Sequence, residues 1–141
     1  MSASFYSLPK RKCDAQGCGW YDAPRGNRKH KGIDLMCNPG TAICSPVNGT
    51  VTKLGWPYAG NREIRYVEVT AGNYKYRVFY VRPHVELDDY VTVHDVLGGS
   101  QELDSMADGG TQHVHFEIMN GNDYIDPTPL YETIRGMRGY L

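Results

Sequence analysis

Apolar and polar residues alternate one by one through Gln112-His113-Val114-His115-Phe116-Glu117-Ile118, the period of a strand whose successive side chains point to opposite faces. Val114, Phe116 and Ile118 share one face and predict a core anchor, while His113, His115 and Glu117 share the other. Three ionisable groups in a row are costly to bury unless they meet a charge or a metal, so the polar face is expected to border a cleft or carry an ion. Two β-branched and aromatic runs, Tyr66-Val67-Glu68-Val69-Thr70 and Tyr74-Lys75-Tyr76-Arg77-Val78-Phe79-Tyr80-Val81, surround Ala71-Gly72-Asn73 and predict a hairpin. A further hairpin is predicted from Thr41-Ala42-Ile43-Cys44 and Thr50-Val51-Thr52-Lys53-Leu54, joined by Ser45-Pro46-Val47-Asn48-Gly49 with its Asn-Gly turn signal. Tyr90-Val91-Thr92-Val93 adds a strand, and only Leu130 to Arg135, after Pro127 and Pro129, predicts a helical turn. The first 28 residues, broken by Pro9, Gly17, Gly19, Pro24 and Gly26, read as an irregular lead-in. The expected fold class is therefore mainly β: one domain built on an antiparallel sheet or sandwich with long loops.

Length agrees, since 141 residues support one hydrophobic core. With 15 Lys and Arg against 16 Asp and Glu, the chain lacks the basic excess that grips phosphate backbones, and nucleic acid is not an expected partner. The 11 Tyr, 3 Phe and 2 Trp bring enough large aromatic surface to exclude wholesale disorder. No apolar run reaches the roughly 18 residues of a membrane span. No apolar segment precedes Pro9-Lys10-Arg11-Lys12, so a conventional secretory signal is not expected and any export uses another route. Cys13, Cys18, Cys37 and Cys44 allow three pairings. Cys13-Asp-Ala-Gln-Gly-Cys18 reads as a small loop staple, and the spacings suit disulfides better than a cysteine-metal site, which implies an oxidising destination.

The second chemical cluster is His30-Lys31-Gly32-Ile33-Asp34. A His and an Asp four apart converge on one ion either across a helical turn or where a loop enters a strand; Gly32 and Pro39-Gly40 favour the loop. Imidazole with carboxylate is a ligand set that suits Zn²⁺. If His30, Asp34 and one His of the 113/115 pair hold the ion, three protein ligands leave a fourth position open, as in catalytic zinc sites. The remaining His then stands beside it with a pKa near working pH. Either motif alone is commonplace; their combination is what points to a site. Elsewhere, His94 beside Asp95 reads as solvated turn chemistry, and Asn48-Gly49-Thr50 as a turn rather than a glycosylation acceptor. Tyr58, Tyr66, Tyr74, Tyr76 and Tyr80 serve either a stacking groove or sheet packing. Arg25, Arg28, Lys29 and Lys31 form a basic patch, either an attractor of acidic polymer or a solvated loop.

His30-x-Gly32-x-Asp34-Leu35 and, far downstream, His113-Val114-His115-Phe116-Glu117 resemble the paired signatures of the lysostaphin/LytM-type zinc endopeptidases, which cut peptides of bacterial peptidoglycan. Thr41 to Val51 is similar to that family's strand-turn-strand, and Asp95-Val96-Leu97-Gly98 to its later strand boundary. Cys13-x-x-x-x-Cys18-Gly19, Cys37 and Phe79-Tyr80-Val81-Arg82-Pro83 resemble most the leukocyte cell-derived chemotaxin-2-like branch. The resemblance covers about residues 13 to 131. It implies a LytM-like peptidase domain over residues 13–141 behind an N-terminal arm, residues 1–12, with a groove across the sheet. It further implies Zn²⁺ on His30, Asp34 and His115, and His113 as general base or transition-state stabiliser during water activation and carbonyl polarisation.

One departure bears on activity. Active members of that family carry a further His about where Arg82 stands, and the chemotaxin branch, which also lacks it, is thought to bind zinc without cleaving. His84 shares the face of Arg82 if the strand continues past Pro83, and would then stand in for the missing imidazole; otherwise it is a surface loop residue. Arg82 offers an oxyanion or carboxylate contact, or is simply an exposed strand end. The expected function is a zinc-dependent endopeptidase acting on peptidoglycan stem or cross-bridge peptides. It would work outside the cytoplasm or on a phage particle as a tail lysin, beside other virion proteins. The alternative is a catalytically inert zinc-binding module.

Overall fold

The alternating segment forms the longest strand of the main sheet among the described residues, with its apolar side chains turned to the core. The computed structural model describes residues 4–14, 17–25, 28–103 and 112–138. In chain order these form a 3-10 turn at Phe5–Ser7, then strands β1 (Pro24–Arg25), β2 (Arg28–Lys29), β3 (Ile33–Met36), β4 (Ala42–Cys44), β5 (Gly49–Gly55) and β6 (Tyr66–Ala71). They continue with β7 (Tyr74–Phe79), β8 (Val81–Pro83), β9 (Tyr90–Val91), β10 (Val96–Ser100), β11 (His113–Asn120), β12 (Asp123–Ile125) and helix α1 (Thr128–Arg138). The main sheet is antiparallel in the order β12-β11-β7-β6-β5-β9, with β3 lying beside the first half of β11. A smaller sheet runs β4-β10-β8, and β1 pairs with β2.

Register sorts the side chains. Val114 pairs with Leu35, Phe116 with Ile33 and Val78, and Val78 with Val67, so these apolar residues share one face of the main sheet. The core lies on that face, closed by Ile43, Val81 and Leu97 of the smaller sheet, by Tyr131 of α1 and by Phe5 and Tyr6. Burying aliphatic and aromatic side chains of this size contributes roughly 1.5–3 kcal/mol each, against which chain entropy acts. The opposite face carries His115, Glu117, Arg77, Glu68 and Asp34, and it forms the floor of the site.

The β6–β7 hairpin folds as expected, as does the split of β11 into core and polar faces. Several expectations are corrected. β4 and β5 are not a hairpin: β4 pairs with β10, whereas β5 pairs with β6 and β9. Gly49 is already in strand, where a Cβ would collide with the Thr70 carbonyl, so the glycine serves strand packing rather than a tight turn. β7 does not run on through Val81; Tyr80 has a left-handed backbone (φ 72°) and sends the chain into the smaller sheet as β8. The helix is longer than one turn because Pro129 sits in its first turn, where no amide donor is required, and Asp126 accepts from the Thr128 amide at 2.9 Å. Finally, the described part of the N-terminal arm packs as part of the domain: Phe5 and Tyr6 are buried, and the Tyr131 hydroxyl donates to the Leu8 carbonyl at 2.6 Å. Residues 1–3 lie outside the described residues.

Candidate metal centre

Asp34 on β3 stands directly opposite His115 on β11, and opposed residues of an antiparallel pair project to the same face. His30 precedes β3 in a loop, the arrangement that Gly32 foretold. A Cβ on Gly32 would collide with the Phe116 carbonyl and lie 2.9 Å from the His115 ring, so only glycine lets this loop come close enough to deliver His30.

Three donor atoms meet. His30 Nε2 lies 3.0 Å from Asp34 Oδ1 and 2.9 Å from His115 Nδ1, and the latter pair are 3.0 Å apart. Tetrahedral zinc, with bonds of about 2.0–2.2 Å, sets its donors about 3.3 Å from one another, so this triangle fits such an ion with little adjustment. Each donor is oriented from behind. The other nitrogen of His30 faces the Trp20 carbonyl at 2.9 Å, and the other nitrogen of His115 faces Glu117 Oε1 at 2.9 Å. With an ion bound, these outer contacts would hold the protons on the outward nitrogens and free the inward ones to ligate. Glu117 Oε2 is buried with no hydrogen-bond partner among the described residues.

Electrostatics match the geometry in the metal-free protein. Burial works against the Asp34 charge, but hydrogen bonds from His115 and His30 outweigh it and hold the carboxyl well below its ordinary range. Burial likewise works against a charged His115, yet Asp34 and Glu117 push it up to about 9. Asp34 Oδ2 receives Arg11 Nη1 at 2.6 Å, with Arg25 Nη2 and His113 Nε2 each at 3.5 Å.

The triangle opens into a groove of about 610 Å³ whose lining includes His113, Trp56, Tyr58, Phe79, Tyr80 and Tyr124. His113 meets the edge of the Tyr80 ring at 5.5 Å, and the Tyr80 and Tyr58 hydroxyls are 2.8 Å apart. Burial, then the Tyr58 neighbour, raises the Tyr80 phenol far above its ordinary value, so it stays protonated. Tyr58, Tyr66 and Tyr80 line the groove, while Tyr76 packs against the core. Of the basic patch, Arg25, Lys29 and Lys31 line it too; the Arg28 side chain lies outside the described residues.

His30, Asp34, His113 and His115 are thus brought together, whereas Arg82 and His84 are not. Both follow the turn at Tyr80 and run beside β10, with Arg82 paired to Gly99 and the His84 amide donating to the Leu97 carbonyl. Neither lines the groove. Sequence reasoning missed Arg11, which stands within a Lys-Arg-Lys run and is 4% exposed. Cys13 and Cys18 are bridged as the loop staple expected, while Cys37 and Cys44 are free. No described helix is long and apolar enough to cross a membrane.

Two imidazoles and a carboxylate at the floor of an open groove form a cluster that could hold a metal ion. Residues 28–127 match the model of peptidase family M23, and the chain belongs to that family. Among characterised proteins it is 29% identical over 119 residues to leukocyte cell-derived chemotaxin-2 of Bos taurus, covering 84% of this chain and 76% of that one. It is also 28% identical over 130 residues to myeloid protein 1 of Gallus gallus, covering 89% and 39%. Its fold is similar to the antimicrobial peptidase lysostaphin from Staphylococcus simulans, with TM-score 0.73, 22% identity and 94% of this chain aligned over 53% of that chain. The chain thus spans about half of lysostaphin, and the catalytic domain of that enzyme is matched over 99% of its length with TM-score 0.70 and 21% identity.

Proposed function

We propose that this protein is a zinc-dependent endopeptidase acting on peptide bonds of bacterial peptidoglycan. His30, Asp34 and His115 would hold the ion and His113 would handle the proton. The observation that carries this reading is the donor triangle of 2.9–3.0 Å sides, open on one side to a groove that contains His113. Zinc bound there supplies a Lewis acid that polarises the scissile carbonyl and makes water acidic enough to attack near neutral pH. The chain's own residues do the rest. His113, kept near Asp34 and against the Tyr80 ring, is placed to accept a proton from the attacking water and return it to the leaving amine. The protonated Tyr80 hydroxyl, on the same wall, donates to negative charge that builds on the carbonyl oxygen. Arg25, Lys29, Lys31 and Arg77 outnumber Asp34 and Glu117 in the groove, which favours an acidic wall peptide. The Cys13–Cys18 bridge favours work outside the cytoplasm, whether the protein is secreted or carried on a phage particle.

The second reading, a zinc-holding binding module without turnover, draws on the position of Arg82 and His84 outside the groove. One experiment separates the two: soluble fragments released from purified cell walls by the zinc-loaded protein, compared with His113→Ala. Release that depends on His113 supports the peptidase; zinc bound at one equivalent with no release at any pH leaves the module.

A further inference from the structure

The two oxygens of Asp34 have different partners. Oδ1 faces His30 and His115, while Oδ2 accepts from Arg11 Nη1 at 2.6 Å. Arg11 is itself immobilised. Its Nε and Nη2 form a fork on the two oxygens of Asp14 at 2.8 and 2.6 Å, and Nη2 also reaches the Gly17 carbonyl at 3.0 Å. Asp14 and Gly17 both lie inside the loop closed by Cys13–Cys18, and their backbones pair with each other. The same segment grips β3 through its backbone: the Arg11 amide donates to the Asp34 carbonyl and the Asp34 amide to the Gly19 carbonyl, each at 2.8 Å. Gly19 is required for this approach, since a Cβ there would stand 2.6 Å from the Arg11 carbonyl oxygen. The Arg11 side chain is 2% exposed, so its charge is committed to these carboxylates and not to solvent.

We infer that Arg11, held by the disulfide-closed loop, is a positioning residue that confines Asp34 to a single donor oxygen and so sets which metals the site prefers. The inference rests on the metal-holding reading above. A carboxylate with both oxygens available adapts to larger, harder cations of high coordination number, which take carboxylates in bidentate fashion. One whose second oxygen is spoken for offers a single short bond, which suits four-coordinate zinc. Arginine is the residue for this task because its planar fork grips Asp14 while a third nitrogen still reaches Asp34; lysine has one point of charge and cannot do both.

The test measures Zn²⁺ and Mn²⁺ affinities by chelator competition, together with the visible spectrum of the Co²⁺-loaded protein, for wild type, Arg11→Met, Arg11→Lys and Asp14→Asn. Far-ultraviolet circular dichroism and thermal melts identify the variants that fold. Loss of a group that orients a ligand typically costs ten- to a hundred-fold in affinity. Arg11→Met should therefore lower the Zn²⁺/Mn²⁺ preference by about ten-fold or more and weaken the intense four-coordinate Co²⁺ bands. Arg11→Lys should recover part of both, and Asp14→Asn, which loosens Arg11 without touching Asp34, should move both in the direction of Arg11→Met. Folded variants with the wild-type metal ratio and Co²⁺ spectrum overturn the role of Arg11 while the metal site stands. Should Arg11→Met not fold, the same readouts on the other two variants decide. A wild-type protein that binds none of these ions overturns the metal reading and the inference with it.

Discussion

Asp34 and His115 face each other across the β3–β11 pair, carboxylate Oδ1 3.0 Å from imidazole Nδ1, although 81 positions separate them in the chain. Their meeting is a consequence of register. Sliding β3 by one residue would turn Asp34 into the core and Leu35 outward, so burying Ile33, Leu35, Val114 and Phe116 on one face also fixes the donors on the other. Hydrophobic packing thus assembles the polar site at no separate cost in chain ordering, with Asp34 set between Arg11 and two imidazoles.

Removing that carboxylate should cost both the metal and part of the fold. Asp34→Ala deletes one of three candidate donors and leaves the Arg11 guanidinium buried with Asp14 as its remaining charged partner. Breaking a buried ion pair outright costs about 3–5 kcal/mol. Because Asp14 still neutralises Arg11, a loss of about 2 kcal/mol or more is expected, with metal content falling to background since binding and folding are coupled. Urea titration and metal analysis of purified protein measure the two effects, and retained zinc with an unmoved midpoint would contradict the assignment.

Gly32 makes a sharper test because it carries no chemistry of its own. In Gly32→Ala the new methyl must push the backbone carbonyl of Phe116 and the His115 ring. Displacing packed backbone costs about 1–3 kcal/mol, and the donor triangle should open enough to weaken metal binding measurably. Gly60→Ala, at a position where a Cβ meets nothing within 4 Å, serves as control and should stay within about 0.5 kcal/mol of wild type. Equal behaviour of the two variants would remove the close-approach account of this glycine.

Much of this site was legible in the sequence, for local reasons. Period-2 alternation put His113, His115 and Glu117 on one face, and a glycine between His30 and Asp34 signalled a loop entering a strand. What alternation does not encode is which strands become neighbours. The apparent hairpin of β4 and β5 dissolves because β4 finds its partner in β10, far along the chain. Nor does periodicity see a single left-handed residue: Tyr80 ends the strand early and carries Arg82 and His84 off to the smaller sheet. Arg11 was illegible because a charged residue in a Lys-Arg-Lys run looks solvated until Asp14 and Asp34 are known to close on it.

His113 should be separable from the ligands. His113→Ala is expected to keep the zinc content, because the three donors that form the triangle remain, and to hold the fold within about 1 kcal/mol, as for a groove residue outside the core. General acid–base groups contribute about 10²–10⁴-fold, so the rate of wall-fragment release should fall by that factor while substrate binding changes little. A variant that cleaves at the wild-type rate would exclude His113 from the proton path; one that loses its zinc would make it a ligand.

Glu68 and Arg77 stand opposed across β6 and β7, with Arg77 Nε donating to Glu68 Oε2 at 2.7 Å and the Thr52 hydroxyl to Oε1 at 2.8 Å. Burial works against the Glu68 charge, but Arg77 and Thr52 outweigh it and bring the carboxyl below its ordinary value. A carboxyl that is more acidic folded than unfolded binds fewer protons in the native state. Its contribution is therefore complete above the unfolded value of about 4.3 and drains away as pH falls through the lower, folded value. Glu68→Gln keeps the size and loses the charge, so at pH 7 it should be less stable than wild type by about 1.5–3 kcal/mol, the range for hydrogen bonds to charged groups. In acid, as the pH falls from the unfolded value through the lower, folded one, the wild-type carboxyl takes up its proton and the two proteins should converge. Urea midpoints of both at pH 7 and in acid settle the matter: a gap that stays constant on acidification would mean that the ionised pair contributes nothing to folding and that the amide differs from the carboxylate only in shape.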